Sequence, residues 1–333
     1  MVMPKKAVVV PVLVLLAAAC GRAAPIAEQE HVTDLHVFVL EGVDDLRALY
    51  RYEPDGPPLL HAHRGGARAG YPENALETFE HTLRHTWAVL EVDPRPTSDG
   101  VLVLFHDPTL ERTSTGQGRV ADHAWADLQE LRLKDPDGNV TPFRIPTLDE
   151  ALAWAKGRTV LLLDDKGGDV IDRARAVQRQ QAHAWAIVMA YSFEDARRLY
   201  EFDRDILMQV FLPDADAIDR FDTTGVPWQN VVGFVTHTEP SDADVFERIA
   251  ANGALGVLGT SRTIDRAFLA GRIDRDGLTT AYRRAIEAGT HIVEADLAIE
   301  AGEAIEPLRA AASGKREFFQ IRPRPSILPT MGE

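Results

Sequence analysis

The sequence predicts an α/β fold, namely a TIM-type (β/α)8 barrel with a side β-hairpin and an insertion after it. From residue 59 onward, short apolar runs alternate with amphipathic helical segments, which is typical of parallel strands covered by helices. There are nine such runs, one more than the barrel needs. Only residues 94–100 separate the second run from the third, too few for a crossover helix. The third run is therefore assigned to the hairpin.

The apolar runs give the strands in chain order. They span 59–63, 89–93, 101–106, 159–164, 185–191, 206–212, 231–236, 255–259 and 291–296. The helical segments include 75–85, 148–155, 170–180, 193–202, 243–251 and 279–288. A doubly wound open sheet is the alternative architecture. The absence of a Gly-rich dinucleotide fingerprint in the sequence argues against it.

The turn of the predicted hairpin is Asp99-Gly100, a dipeptide that favours two-residue hairpin loops. A two-residue turn would pair Ser98 with Val101, and counting back along both strands then places His106 opposite Asp93. Residues 108–146 follow as one long insertion without a barrel strand. An insertion on the functional face of a barrel usually shapes access for the substrate.

The first twenty residues predict an export signal. Lys5 and Lys6 precede an apolar stretch over 7–16, which is too short to span a bilayer as a finished helix. Small residues at 17–19 then lead to Cys20, the single cysteine, as in the lipobox of bacterial lipoproteins. We therefore expect residues 1–19 to be a lipoprotein signal peptide and Cys20 to be lipidated. An ordinary cleaved signal or an uncleaved membrane anchor is the alternative.

The remaining organisation follows from composition. Residues 20–57 are interpreted as a tether, within which 36–40 and 43–50 could add a strand and a helix, and residues 58–333 as the barrel domain. Gly21 follows Cys20, and no Asp stands there to favour retention in the inner membrane. We expect an exported protein anchored by lipid to the outer membrane and facing the periplasm. A Gram-positive cell surface is the alternative.

Charge restricts the partners of this chain. Its 333 residues carry a formal net charge of -15, which argues against nonspecific binding to nucleic acid. A site for an anionic substrate must therefore be local and depend on a few Arg, Lys or metal charges. Hydrophobic residues make up 45% of the chain, which suits a globular protein with a sizeable core. The sequence leaves the oligomeric state open.

Polar side chains collect where the first three barrel strands and the hairpin end. Active sites of (β/α)8 barrels lie at the C-terminal ends of the strands. Residues two apart on a strand share a face, so polar residues at that spacing point the same way. The candidate site residues are His63, Arg64, Glu91, Asp93, His106, Asp164 and Lys166.

Three of these residues are carboxylates, and such a cluster needs a cation to offset its repulsion. All-oxygen ligation by Glu91, Asp93 and Asp164 suits a hard ion, so we expect one divalent cation, either Ca²⁺ or Mg²⁺. Surface salt bridging is the alternative, and it is less favoured for carboxylates at adjacent strand ends of one barrel.

The other four residues are cationic or titrate near neutral pH. His63 and His106 can divide acid and base work between them, because imidazole changes charge close to physiological pH. Arg64 can hold phosphate oxygens through two parallel hydrogen bonds, and Lys166 adds a point charge to the same group. With the metal, these residues predict a phosphoryl-transfer site without a nucleotide-binding loop.

These motifs resemble the glycerophosphodiester phosphodiesterase family over roughly residues 59–300. The matching blocks are HRG at 63–65, PENALETF at 72–79, EVD at 91–93, TSDG at 97–100, FHDPTLERT at 105–113, IPTL at 145–148 and SF at 192–193. The resemblance implies a TIM barrel and metal-dependent hydrolysis of a glycerophosphodiester to sn-glycerol 3-phosphate and an alcohol. The enzyme would be a phosphoric diester hydrolase with a small-molecule substrate.

The resemblance also implies a role for each candidate residue. His63 and His106 match the acid–base pair, Glu91 and Asp93 match metal ligands, and Arg64 and Lys166 match phosphate contacts. A substrate hydroxyl beside the phosphate attacks it, one histidine takes the proton, the other protonates the leaving alcohol, and water then opens the cyclic phosphate. Asp164 stands where the family usually has the third metal ligand, a Glu. Its shorter side chain requires a closer metal or a bridging water.

Two other functions fit the same fold. A lipid phosphodiesterase of the phospholipase C or D type would need an apolar patch at the mouth of the pocket. A non-catalytic binding lipoprotein would have no need of both histidines and all three carboxylates, and their retention in this sequence argues against it.

Overall fold

The chain alternates strands and helices in residues 34–242 and 244–323, the part that this computed structural model describes. The strands are β1 (Asp34–Phe38), β2 (Leu59–Ala62), β3 (Val89–Val92), β4 (Pro94–Pro96), β5 (Leu102–Leu104), β6 (Leu161–Leu163), β7 (Ala186–Ala190), β8 (Leu207–Phe211), β9 (Val231–Thr236), β10 (Gly256–Gly259), β11 (Ile292–Ala295) and β12 (Phe319–Pro323). The helices are α1 (Val43–Tyr50), α2 (Leu76–His85), α3 (Trp125–Leu128), α4 (Leu148–Ala155), α5 (Val170–Arg179), α6 (Phe193–Phe202), α7 (Ala215–Asp222), α8 (Val245–Ala251), α9 (Ile264–Leu269), α10 (Arg275–Glu287) and α11 (Ala298–Ala311).

Eight parallel strands form a closed barrel in the order β2, β3, β6, β7, β8, β9, β10 and β11. The ring closes where Leu59 of β2 lies beside Ile292 of β11. β7 is buried along its whole length, because the barrel interior covers one face of the sheet and the helices cover the other. The predicted (β/α)8 barrel is confirmed.

The side hairpin is present, but its register differs from the prediction by one residue. The Phe105 N–H donates to the Asp93 carbonyl at 2.9 Å, so the predicted pairing of Asp93 with His106 is wrong. The loop consists of the three residues 98–100 and ends in Gly100 with a φ of 80°. A three-residue hairpin loop needs positive φ at its last position, which glycine adopts without steric cost.

A strand and a helix ahead of the barrel cover its N-terminal end. β1 pairs antiparallel with β12, and α1 buries Leu46, Leu49 and Tyr50 in one cluster with residues from the starts of the barrel strands. Burial of each leucine stabilises the fold by about 1.5–3 kcal/mol. The Tyr50 hydroxyl also hydrogen-bonds the buried His61 ring at 2.9 Å. This part of the predicted tether is therefore folded.

The insertion over 108–146 packs against the hairpin. It contains a single 3-10 turn at Val120–Asp122 and the short helix α3 among irregular segments. Its apolar side chains share a separate buried cluster with the hairpin, made by Ala75, Val103, Phe105, Leu110, Val120, Leu128, Leu133 and Ile145. The insertion thereby fixes the hairpin end that carries His106.

Substitution of Gly65, three residues after the end of β2, is expected to cause a measurable loss of stability. Its φ is 83°, and a Cβ atom there would lie 2.3 Å from the ring of Phe79. Gly65→Ala is expected to lower the free energy of unfolding by about 2–5 kcal/mol, from left-handed backbone strain plus overpacking. Gly70→Ala is the matched control, since Gly70 has a φ of 78° with open space around it. Equal losses for the two variants in urea unfolding would contradict the packing argument.

The export signal lies outside the described residues. Neither the predicted signal peptide over 1–19 nor Cys20 can be compared with the structure, so both stay predictions that mass spectrometry of the mature N-terminus would check. Among the helices that the structure describes, none combines the length and apolar character required to cross a bilayer.

Candidate active site

A cavity of about 480 Å³ opens at the C-terminal end of the barrel. The structure brings the predicted site residues together here. Asp93 is fully buried behind the cavity and lies 3.0 Å from the Lys166 ammonium. The other predicted residues line the cavity directly, and these are His63, Arg64, Glu91, His106, Asp164 and Lys166.

Three carboxylates from neighbouring strand ends converge beside this cavity. Each of Glu91, Asp93 and Asp164 offers an oxygen atom, and these atoms lie within 4.8 Å of one another. β3 contains Glu91 and is followed directly by Asp93, and it pairs with β6, which precedes Asp164. Because the strands are parallel, their C-terminal ends lie at the same end of the barrel. The fold therefore brings these three carboxylates close together.

Asn74 holds Asp93 in place by two hydrogen bonds. Its side-chain amide donates to the Asp93 carboxylate at 2.6 Å, and its carbonyl oxygen accepts from the Asp93 backbone N–H at 3.0 Å. Asn74 is itself buried and has a φ of 61°. From sequence alone, an Asn just before α2 reads as a helix cap. The structure shows Ala75 at that position, which frees Asn74 to position the carboxylate.

Glu91 is a buried carboxylate with one unsatisfied oxygen. Its Oε2 accepts from the Arg64 backbone N–H at 2.7 Å, whereas Oε1 has no hydrogen-bond partner among the described residues. Burial, reinforced by the charge of Asp93, holds the pKa of Glu91 well above its ordinary value. A nearby positive charge would stabilise the ionised form of this buried carboxyl group.

Lys166 supplies part of that positive charge. Its ammonium lies between Asp93 and Asp164 and contacts both carboxylates. Although burial acts in the opposite direction, these two charges raise the pKa of Lys166 above its ordinary value. Asp164 also accepts a hydrogen bond of 2.8 Å from the Tyr191 hydroxyl. One ammonium cannot neutralise three carboxylates.

The donor set therefore fits a hard divalent cation. It consists of carboxylate oxygens alone, two of the three residues are buried, and Glu91 has an oxygen free for ligation. Ca²⁺ and Mg²⁺ prefer such oxygen ligands, while the softer transition metals favour imidazole or thiolate. Glu91, Asp93 and Asp164 are the residues that would hold the ion.

His63 follows β2 and pairs with Asp296 at the end of β11. The distance from His63 Nδ1 to Asp296 Oδ1 is 2.5 Å. Burial lowers the pKa of His63, but the hydrogen bond that His63 donates to Asp296 and the nearby carboxylates outweigh it and raise the pKa to about 10. Among the described residues, the His63 ring forms this one hydrogen bond, so its Nε2 atom is available for proton exchange with a bound molecule.

His106 has a carboxylate partner of a different kind. Its Nδ1 lies 2.8 Å from Asp107, and Arg112 of the insertion donates two hydrogen bonds to the same carboxylate. The Arg112 bonds, against burial, hold the pKa of Asp107 well below its ordinary value. Burial lowers the pKa of His106. The two histidines thus sit in unlike electrostatic surroundings within one cavity.

Arg64 has a backbone conformation that non-glycine residues seldom adopt, with a φ of 52°. Its guanidinium donates to Glu73 at 3.1 Å, and Glu73 also accepts two bonds from Arg112. Strained backbone of this kind persists where surrounding contacts over-determine it, often at functional sites. Arg64 lines the cavity, and its guanidinium lies 4.0 Å from the Asp93 carboxylate.

One wall of the cavity is largely apolar. Met189, Tyr191, Phe211 and Phe234 line it, with the Phe211 and Phe234 rings stacked at 6.1 Å. Tyr191 is 56% exposed and Phe211 is 41% exposed, so aromatic surface continues from the cavity to the solvent. This wall is suited to the part of a substrate that carries no phosphate.

Sequence reasoning did not find every residue of this site. The position of Asn74 just before α2 is typical of a helix cap, and Asp296 is not among the predicted site residues. Tyr191 stood at the end of a predicted strand with nothing to mark it. The available signal for Asp296 was its place two residues after Glu294 at the end of the last barrel strand, which is where barrel active sites are built.

Comparison with protein families and solved structures identifies phosphodiesterases as similar proteins. Residues 63–280 match the Glycerophosphoryl diester phosphodiesterase family. The crystal structure of a glycerophosphoryl diester phosphodiesterase from Parabacteroides distasonis is similar with a TM-score of 0.82 and 38% identity, covering 86% of this chain and 99% of that one. An Oleispira antarctica phosphodiesterase in complex with the product sn-glycerol-3-phosphate shares the fold, with a TM-score of 0.56, 20% identity, and coverage of 75% of this chain and 97% of that one.

Relatives known from sequence are also similar. Glycerophosphodiester phosphodiesterase 1 of Homo sapiens is 30% identical over 186 residues, which are 52% of this chain and 54% of the human protein. The protein of that name from Mus musculus is 37% identical over 142 residues, which are 40% of this chain and 41% of the mouse protein. The chain thus spans about half the length of these relatives.

Proposed function

Because the chain belongs to the glycerophosphoryl diester phosphodiesterase family, we propose that it hydrolyses glycerophosphodiesters to sn-glycerol 3-phosphate and an alcohol with the aid of a divalent cation. The observation that carries the proposal is the composition of one cavity. Two histidines, each with a carboxylate partner, line it beside the carboxylate cluster and two cationic side chains.

Arg64 and Lys166 are the proposed phosphate-binding residues. Both line the cavity next to the carboxylate cluster. Guanidinium and ammonium groups bind phosphate oxygens through charge-assisted hydrogen bonds, and Arg64 can use two donors at once. The same contacts oppose the negative charge that builds on the phosphate oxygens in the transition state.

His63 and His106 are the proposed proton carriers. In the first step the substrate hydroxyl next to the phosphate attacks phosphorus, one imidazole accepts the hydroxyl proton, and the other gives a proton to the departing alcohol oxygen. The P–O bond to the alcohol breaks as the ring bond forms. Water then opens the cyclic phosphate, and each histidine reverses its part. Carboxylate partners on Nδ1 leave Nε2 of each ring available for these transfers.

Glu91, Asp93 and Asp164 would hold the divalent cation. When bound, such an ion polarises phosphoryl oxygens and offsets developing negative charge as a Lewis acid. Asp164 is short for this task, and its hydrogen bond from Tyr191 fixes one of its two oxygens. The arrangement leaves Ca²⁺ and Mg²⁺ as equal candidates for the ion.

Glycerophosphocholine tests the proposed activity directly. The purified protein is expected to release choline and sn-glycerol 3-phosphate in equal amounts. A stereospecific glycerol 3-phosphate dehydrogenase assay and phosphorus NMR would measure the products. Phosphorus NMR should also reveal a transient cyclic phosphate. Formation of glycerol and phosphocholine would mean that the other P–O bond is cleaved, and it would overturn the proposal.

The apolar wall favours a second candidate, a lipid phosphodiesterase. Tyr191 and Phe211 place exposed aromatic surface at the mouth of the cavity, which is where an acyl chain would lie. Lysophosphatidylcholine is the discriminating substrate, since it differs from glycerophosphocholine by one acyl chain. A higher kcat/KM for the lysophospholipid would assign the wall to lipid. A higher kcat/KM for glycerophosphocholine would exclude that role.

A further inference from the structure

We infer that Asp296, at the end of the last barrel strand, is the positioning residue that fixes the ring orientation and the proton placement of His63. The inference rests on the proposed function, because it concerns one of the two proposed proton carriers. Asp296 lines the cavity, and its role follows from its contacts with His63 and from the way the protein holds its backbone.

The contact with His63 is short and involves one ring nitrogen. Asp296 Oδ1 lies 2.5 Å from His63 Nδ1, while 233 residues separate the two in sequence. A carboxylate at this distance requires a proton on Nδ1, which fixes the tautomer and leaves Nε2 for the substrate. A carboxylate that plays this part stabilises the imidazolium that forms during proton transfer.

A buried carboxylate from α9 helps to hold the backbone of Asp296 in position. Its backbone N–H donates to the carboxylate of Asp265 at 2.8 Å, and Asp265 is fully buried. Thr260 and Tyr282 donate their hydroxyl protons to the same carboxylate. A buried network with these donors satisfied holds its members rigidly. The backbone of Asp296, directly after β11, is therefore held in place by this hydrogen bond.

The charge of Asp296 is directed to His63. Among the described residues, His63 is the only partner within ion-pair distance of the Asp296 carboxylate, whereas Asp107 beside His106 shares its charge with Arg112. Asp265 faces Asp296 from α9. The other charged groups facing this pair from neighbouring elements are Glu91 on β3, Glu294 on β11, Arg64 after β2 and His237 after β9.

The kinetic test compares Asp296→Asn and Asp296→Ala with the wild type. Both variants are expected to lower kcat for glycerophosphocholine by about a hundredfold or more, with KM changed by less than about threefold. Asn preserves the shape of the side chain, so thermal melting should report an intact fold. In a His63→Ala background, Asp296→Ala should add no further loss, because two residues that act as one unit are non-additive.

Asp203→Asn is the matched control. Asp203 is likewise a carboxylate paired with an imidazole, at 2.9 Å from His183 Nε2, but it lies outside the cavity, so its replacement should leave kcat unchanged. A loss of kcat from Asp296→Ala that persists undiminished in the His63→Ala background would overturn the inference. So would wild-type kcat in Asp296→Asn.

Long-range proton–nitrogen NMR of the imidazole gives a readout that needs no turnover. In the wild type, Nδ1 of His63 should stay protonated as the pH rises above neutrality, and in Asp296→Asn it should lose that proton. If the wild type shows this signature yet hydrolyses no glycerophosphodiester, the proposed function fails while the pairing stands. If Nδ1 is unprotonated in an active wild type, the pairing fails while the function stands.

Discussion

Replacing His63 or His106 by alanine is expected to lower kcat for glycerophosphocholine by about 10²- to 10⁴-fold, the usual contribution of a general acid or base. Each imidazole serves both half-reactions in the proposed mechanism, so neither variant can avoid the loss. Both rings are partly exposed in the cavity and not packed in the core. The melting temperature should therefore change little, and steady-state kinetics with thermal melting measures both quantities.

His183→Ala provides the control for this pair of variants. The His183 ring bonds Asp203 at 2.9 Å and lies outside the cavity, so the substitution repeats the chemical change without touching the site. Wild-type kcat in either His63→Ala or His106→Ala would remove that histidine from proton transfer. Wild-type protein that binds glycerophosphocholine but never releases product would instead identify a binding protein of the same fold.

The fold and most of the site could be predicted because both depend on strand ends. Buried parallel strands are recognised in the sequence as short apolar runs. Polar residues at the C-terminal ends of these runs must lie together at one end of the barrel. Glu91 and Asp93 follow this logic from spacing alone, since residues two apart share a face. Asp164 joins them because its strand β6 lies beside β3.

Contacts that depend on exact turn geometry could not be predicted. Asp99-Gly100 favours a two-residue loop, but Gly100 takes the last place of a three-residue loop and shifts the hairpin by one residue. His106 still reaches the cavity. It does so because the hairpin ends above the carboxylate cluster, with Asp107 and Arg112 beside it. The prediction reached the right site through a wrong pairing.

Long-range partners were also beyond sequence reasoning. Asn74 carries a local signal for a helix cap, and only the packing of α2 against the strand ends reveals that it bonds Asp93 instead. In the sequence, nearly all of the barrel lies between His63 and Asp296. The two residues meet in space because β11 pairs with β2 and closes the barrel. The predicted barrel places the first and last strands in contact, but no local pattern shows which of their end residues form a pair.

Removal of divalent cations is expected to abolish hydrolysis. A Lewis acid at a phosphoryl group is worth several kcal/mol, and about 4 kcal/mol corresponds to about a thousandfold in rate. Exhaustive treatment with EDTA should therefore stop release of sn-glycerol 3-phosphate, and addition of Ca²⁺ or Mg²⁺ should restore it. Glu91→Gln should show the same deficiency without chelator, since the amide keeps the size of the side chain and removes the charge that favours ligation.

Binding of the ion can be measured apart from turnover. A ligand at a hundredfold excess over its Kd stabilises the folded state by about 2.7 kcal/mol, so Ca²⁺ or Mg²⁺ should raise the melting temperature of the wild type and leave that of Glu91→Gln unchanged. Glu150→Gln is the matched control, because Glu150 caps α4 away from the cavity, and it should keep the full response. Activity that survives EDTA, together with a melting temperature indifferent to both ions, would show that the neighbouring cationic side chains balance the carboxylates without a metal ion. The buried cluster would then be a structural feature and not a metal site.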